Sequence, residues 1–263
     1  RDYYASRGLG DVYKRQGQTT PKYWELRKAL AKYMDGQKQA PVPPVIKPVA
    51  VKKFEFTEVA PLFNSLPEPK SDVELKTMEE YDQGFGSIMY STELPALTSP
   101  TLLTVDEAHD FAQIFVDGKY IGKLDRRNGE KELVIPACAK GARLDILVEA
   151  MGRINFGRAI KDFKGIVGKV TLTENRDGHK YVCELKNWKV YNMPDEMEFY
   201  ESMEYMPLGA FTPGEDGRLP IGVYKGTFDV KKPSDTFLNF ETWGKGLVSV
   251  SYTHLTLPTT SRV

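Results

Sequence analysis

The sequence predicts a mainly β protein: two β-sandwich units, the second incomplete, preceded by one helix. Three observations carry this. The run AQIFVDGKYIGKLD alternates apolar and polar residues on both sides of Asp117-Gly118. That dipeptide suits the positive dihedrals of a two-residue hairpin turn. Short alternating runs recur along the chain with turn signals about every 8 to 12 residues, and no strand-helix-strand alternation appears. A second series of the same kind, GVYKGTFDV, TFLNF and WGKGLV, begins near Ile221.

Taken in order, the first element is a helix. Thr20 is a good N-cap and Pro21 fits the first helical position. Tyr23, Leu26, Leu30, Tyr33 and Met34 then recur at helical spacing, and Asp35-Gly36 supplies a stop. This amphipathic helix needs something to pack on. Pro41, Pro43, Pro44 and Pro48 make the next stretch an extended, fairly stiff connector. Residues 53–58 alternate with Phe54 and Phe56 on one face, and 87–92 form another strand. In the hairpin, Ala112, Ile114 and Val116 point one way, with Tyr120, Ile121 and Leu124 on the return strand. Residues 133–135 and 144–148 follow, the latter apolar on both faces and therefore central. Residues 169–173 and 180–185 add two more strands. Residues 194–207 are acidic and rich in Met and aromatics, which reads as a solvated connector with a few docked side chains. Residues 207–219, rich in Gly and Pro, form a loop.

The 263 residues carry 36 Lys+Arg against 36 Asp+Glu, with 2 Cys and 3 His. No apolar run is long enough to span a bilayer, and no charged n-region leads into an apolar stretch, so neither a membrane helix nor a signal peptide is expected. Two cysteines make no disulfide framework. Balanced charge gives no electrostatic reason to expect nucleic acid or an anionic membrane surface as a partner.

Both ends read differently from the rest. Residues 11–16 (DVYKRQ) can be coded as GAT GTG TAT AAG AGA CAG. Residues 250–255 (VSYTHL) can be coded by the reverse complement of that string, offset in frame. Both strings resemble a transposon adapter used in sequencing libraries. Residues 1–16 and 249–263 are therefore expected to be adapter-coded rather than native, the alternative being two natural disordered tails. Without their five basic and two acidic residues, the 232 others hold 31 basic and 34 acidic residues, a net charge of −3.

Few residues suggest chemistry. His109 and His179 lack partners at ligand spacing, and Cys138 and Cys183 form no CxxC, so no metal site and no cofactor are expected. The cysteines read as buried small hydrophobes. No nucleophile elbow, P-loop or dinucleotide fingerprint is present. Glu79-Glu80 and Asp195-Glu196 read as surface acids. Two segments are less ordinary. MGRINFGR (residues 151–158) sets Arg153, Asn155 and Phe156 among glycines. Such a loop suits a sugar, with an aromatic face on the ring and Asn and Arg on hydroxyls; the alternative is a glycine-rich turn packed on its own domain. TWGKGLV (242–248) places Trp243 before two glycines, as a sugar platform or, more commonly, a core residue.

Together, TPKYWELR, GFGSIMYSTEL, AHDFAQIFVDGKYIGKLDRR, RLDILVEAMGRINFGRAIKDFKGI and GVYKGTFDVKKPSDTFLNFETWGKGLV resemble the C-terminal half of glycoside hydrolase family 35, the β-galactosidases. The resemblance covers nearly all of residues 17–248. It implies jelly-roll, galactose-binding-like β domains behind a (β/α)8 barrel that this chain lacks. By that resemblance, 17–48 is the last barrel-region helix with its linker, 49–186 the first all-β domain, and 187–248 a connector with a truncated second domain. By the same resemblance, residues 53–58 are expected to pair with the second domain rather than the first. The family's retaining chemistry uses two glutamates on barrel strand ends, so no catalytic residue carries over. The partners implied are a β-galactoside and the missing barrel. The loop matching GRINFG approaches the barrel's active-site mouth in the family. An aromatic there, often Tyr, touches galactose. Phe156 keeps the ring but has no hydroxyl to donate. The fragment alone is expected to be inactive; a stand-alone carbohydrate-binding module is the alternative. A secreted or periplasmic parent fits the family, though the residues themselves fix no location.

Overall fold

The computed structural model describes residues 19–42, 44–154, 156–158, 160–194, 196–213, 217, 219–232, 234–236, 247–250 and 253–256. The chain divides into two compact units: residues 1–55 with 227–240, and residues 56–226 with 241–263.

In the first unit, helix α1 spans Pro21–Ala31, with Thr20 extended at the N-cap and Pro21 at its start, as the sequence predicts. It ends earlier than its apolar spacing suggests. Single turns carry the chain on, Tyr33 N donating to Leu30 O and Gln37 N to Met34 O, and Asp35 and Gly36 then take positive φ. No residue of α1 is buried; Leu26 is 44% and Leu30 59% exposed. Arg27 ties the helix to the connector by donating to Ala40 O, and Gln39 Nε2 donates back to Arg27 O at 2.6 Å. The extended segment then meets the later part of the same unit. Val49 N donates to Asp235 O at 2.8 Å, Ser234 Oγ to Lys47 O at 2.7 Å, and the Phe54 and Phe228 rings lie 4.9 Å apart.

The second unit contains a sandwich. One sheet has six strands: β2 (Lys70–Asp72), β11 (Trp188–Asn192), β3 (Ser87–Glu93), β8 (Arg143–Glu149), β5 (Phe111–Val116) and β6 (Lys119–Asp125), in that spatial order and antiparallel throughout. The facing sheet runs β10 (His179–Glu184), β9 (Gly165–Arg176), β4 (Thr101–His109), β7 (Glu132–Ile135). Period-2 alternation puts Ile88, Tyr90, Ala112, Ile114, Leu144, Ile146, Val148 and Val190 of the first sheet on one face. They pack against Leu103, Val105, Ile135, Ile166, Val170 and Leu172 of the second, forming one core. The β5-β6 turn uses Asp117 and Gly118, both at positive φ, as predicted.

The other face of the six-stranded sheet is also covered. Met89 and Leu147 join Leu62, Phe63, Met193, Phe199 and Ile221 in a second apolar cluster. This explains why 144–148 is apolar on both faces: β8 lies between β3 and β5 with apolar side chains above and below. A small sheet, β12 (Met206–Pro207), β1 (Glu58–Pro61), β13 (Gly222–Lys225), belongs to the same unit.

Several expectations shift. The strand placed at 53–58 begins only at Glu58; Phe54 and Phe56 are exposed and lie against Phe228 and Tyr224, respectively. Residues 188–192, read as connector, form β11 between β2 and β3. Trp188 is buried there, its Nε1 donating to Leu185 O at 3.1 Å. The 194–207 stretch holds a short helix, α2 (Met197–Ser202), whose Phe199 packs against the second cluster. Residues 249–263, expected to be adapter-coded, hold part of a hairpin: β14 (Leu247–Val250) pairs with β15 (Thr253–Thr256), and β-branched residues recur through this stretch. Residues 1–18 and 237–246 lie outside the described residues.

Candidate functional site

At one end of the sandwich, β4 and β5 are joined through Asp110, and β8 reaches β9 through the 151–163 loop. The charged residues here lie between apolar strands, so their side chains turn inward. Lys164 is 2% exposed. Its ammonium lies 2.7 Å from Asp110 Oδ2 and 2.8 Å from Asp162 Oδ2. Arg126, in the turn after β6, sets one guanidinium nitrogen 2.8 Å from Asp110 Oδ1 and 2.9 Å from Asp162 Oδ1. Two cations and two carboxylates thus alternate in a closed ring. Met151 N donates to Asp110 Oδ2 at 2.7 Å. His109 Nδ1 lies 2.6 Å from Phe163 O, and its Nε2 lies 2.8 Å from Glu107 Oε2.

The electrostatics follow. Burial alone would raise the Asp110 and Asp162 carboxyls, but hydrogen bonds from Lys164 and Arg126 outweigh it and hold both below the usual carboxylate range. Burial also pushes Glu79 up, and it too ends lowered, by its own backbone N–H, Arg153 and Lys164 N. Glu107 is lowered chiefly by His109. These carboxylates are held below their usual range by hydrogen-bonding partners, the opposite of a general acid, which needs a raised pKa.

Arg153 lies in this loop and reaches inward. Its Nε and Nη2 donate to Gly84 O at 3.0 and 2.6 Å, its Nη1 donates to Asp162 O at 3.2 Å, and Nη1 lies 2.6 Å from Glu79 Oε1. Most of its donors are therefore engaged within the domain. Phe156 is 83% exposed at the loop's tip, with Ile154, Ile160 and Phe163 also exposed nearby in sequence. The loop brings Arg153 and Phe156 into one segment; Asn155 and Trp243 lie outside the described residues. The ring of Asp110, Arg126, Asp162 and Lys164, with Glu79, was not singled out in the sequence. Its one signal was charge concentrated at strand ends, in LDRR and KDFK.

Elsewhere the chemistry is sparse. A 240 Å³ cavity is bordered by Glu74, Lys76, Thr77, Lys169, Glu184 and Leu185. Its charges are paired with neighbours, Lys169 with Glu184 at 2.9 Å and Glu74 with Lys186 at 3.0 Å. Among the described residues, no group of three or more His, Cys, Asp or Glu could hold a metal ion, and no helix is long and apolar enough to cross a membrane. Cys183 is exposed rather than buried, and Cys138 is half-buried.

Comparison with known proteins agrees with this geometry. The family model for the first all-β domain of β-galactosidase matches residues 76–194, which include β3 to β11 and the whole loop. The β-galactosidase of Canis lupus familiaris is 31% identical over 89% of this chain and 36% of its own length. That of Xanthomonas manihotis is 28% identical over 93% of this chain and 39% of its own, and that of Homo sapiens 29% over 89% and 36%. The chain thus spans less than two-fifths of the length of these relatives. Residues 76–194 thus match the first all-β domain of β-galactosidase, and the chain is similar to β-galactosidases along most of its length.

Proposed function

We propose that this chain is the non-catalytic β region of a family 35 β-galactosidase, built from galactose-binding-like jelly rolls, and that it buttresses a catalytic barrel lying outside it. Its 151–163 loop shapes the rim of the sugar cleft. The observation that carries this reading is the loop: it lies inside the matched domain, is held from beneath, and presents an exposed aromatic. Retaining hydrolysis needs two carboxyl groups about 5 Å apart, one acting as acid and one as nucleophile. Asp110 and Asp162 are locked by Lys164 and Arg126 and can serve as neither. Exposed Leu26 and Leu30 on α1 fit a helix whose apolar stripe faces that barrel. Phe156 offers a ring face to a sugar or to the barrel, while Arg153 acts by shaping the loop.

A second reading, a stand-alone carbohydrate-binding module, is favoured by the exposure of Phe156 alone. Calorimetric titration with galactose and lactose separates the two. A buttress gives no saturable heat at millimolar sugar. Saturable heat that disappears in Phe156→Ser supports the binding module instead.

A further inference from the structure

We propose that the Lys164–Asp110–Asp162–Arg126 ring is a clasp that fixes the shape of the 151–163 loop, making Lys164 and Arg126 positioning residues for whatever the loop touches. The inference concerns the loop's geometry and does not depend on the sugar reading above.

Three observations lead to it. First, both ends of the loop end on the ring. The leading end is held by Met151 N on Asp110 Oδ2. The trailing end carries two ring members itself, Asp162 and Lys164. Second, the ring is extended by backbone contacts that fold the loop back on the domain. Asp162 O accepts from Arg153 Nη1, Phe163 O faces His109 Nδ1, and Lys164 N donates to the Glu79 carboxylate, which also pairs with Arg153. Third, the described side chains between these anchors lie at the surface. Residues 152–154, 156–158, 160 and 161 are all exposed. The buried groups that hold it are those at its roots, joined by the Arg153 contacts to Gly84 O, Glu79 and Asp162 O.

A charge ring is a costly way to fill a buried site. Replacing a buried ion pair with apolar groups is often neutral or stabilising. What an apolar plug lacks is direction: charge-assisted hydrogen bonds fix the positions of several backbone segments at once. Here the ring joins residues 16, 36 and 54 apart in sequence, from the β4-β5 junction, the turn after β6 and the entry to β9.

The test uses the full chain carrying Lys164→Met, which keeps the volume and removes the charge. Tryptic cleavage after Arg158 and Lys161 is timed, and hydrogen exchange is followed at amides of residues 152–163 and of β3, β5 and β8. The clasp predicts that cleavage and exchange in the loop accelerate about tenfold or more while the sheet amides keep their protection. An unchanged loop overturns the proposal. Equal acceleration of loop and sheet also overturns it, because the ring would then be a general stability element. Arg126→Ala, at a side chain 38% exposed, gives the same readout should Lys164→Met fail to accumulate.

Discussion

At the residue scale, the Asp110 carboxylate touches Lys164, Arg126 and Met151 N. Asp110→Ala leaves a buried ammonium with one partner instead of two, and breaking a buried pair costs about 3–5 kcal/mol. Urea unfolding is expected to show a loss of that size. The pH dependence has a definite sign. Both ring carboxyls are lowered in the folded state, so their contribution is fully present above the unfolded value of about 3.9 and is lost as pH falls through the lower folded value. The stability difference between wild type and Asp162→Asn is therefore expected to be constant from pH 7 to about pH 5 and to shrink below about pH 4. A second exacting position is Gly165, at φ 84, where a Cβ would collide with the Tyr90 hydroxyl and Met78. Gly165→Ala is expected to destabilise by about 2 kcal/mol or more, through positive φ and steric overlap together, which a thermal melt would detect.

Elements were legible in the sequence to the extent that their signals were local. Asp117-Gly118 fixed the β5-β6 hairpin because a two-residue turn carries its own dihedral requirement. The central place of β8 followed from apolar residues on both faces. The strand β11 was harder. Its inward residues, Trp188 and Val190, alternate correctly, but the strand is short and lies just past residue 186, where the family resemblance ended the first domain. Its partners are β2 and β3, roughly a hundred residues earlier, and no local pattern reports such pairing. Trp188→Ala, which removes a fully buried side chain from the main core, is expected to cost about 3–5 kcal/mol in urea unfolding. A cost below about 1 kcal/mol would mean that β11 is not part of the sandwich.

At the scale of the molecule, the sequence showed the mainly β class and many of the sandwich strands, but not β2, β4 or β11, nor the charged end of the sandwich. Charged residues read as surface because they usually are. Lys164 and Asp110 become interior only when the β4-β5 junction and the start of β9 come together. Arg153 illustrates the same limit: its place in a glycine-flanked loop suggested contact with a sugar, and its donors are instead spent on Gly84 O, Glu79 and Asp162 O. Among the described candidate residues, Phe156 is exposed at 83%. On the proposed function, this end of the sandwich presents Phe156 to a neighbouring domain that holds the hydrolytic groups.

The claim that this chain shapes a sugar cleft without performing the chemistry is tested most directly by turnover. The purified chain is incubated with p-nitrophenyl β-galactoside, and nitrophenolate release is followed over the uncatalysed background. The account predicts no release above that background. Catalytic release that is abolished by replacing a carboxylate of this chain, such as Asp110→Asn or Glu79→Gln, would contradict it.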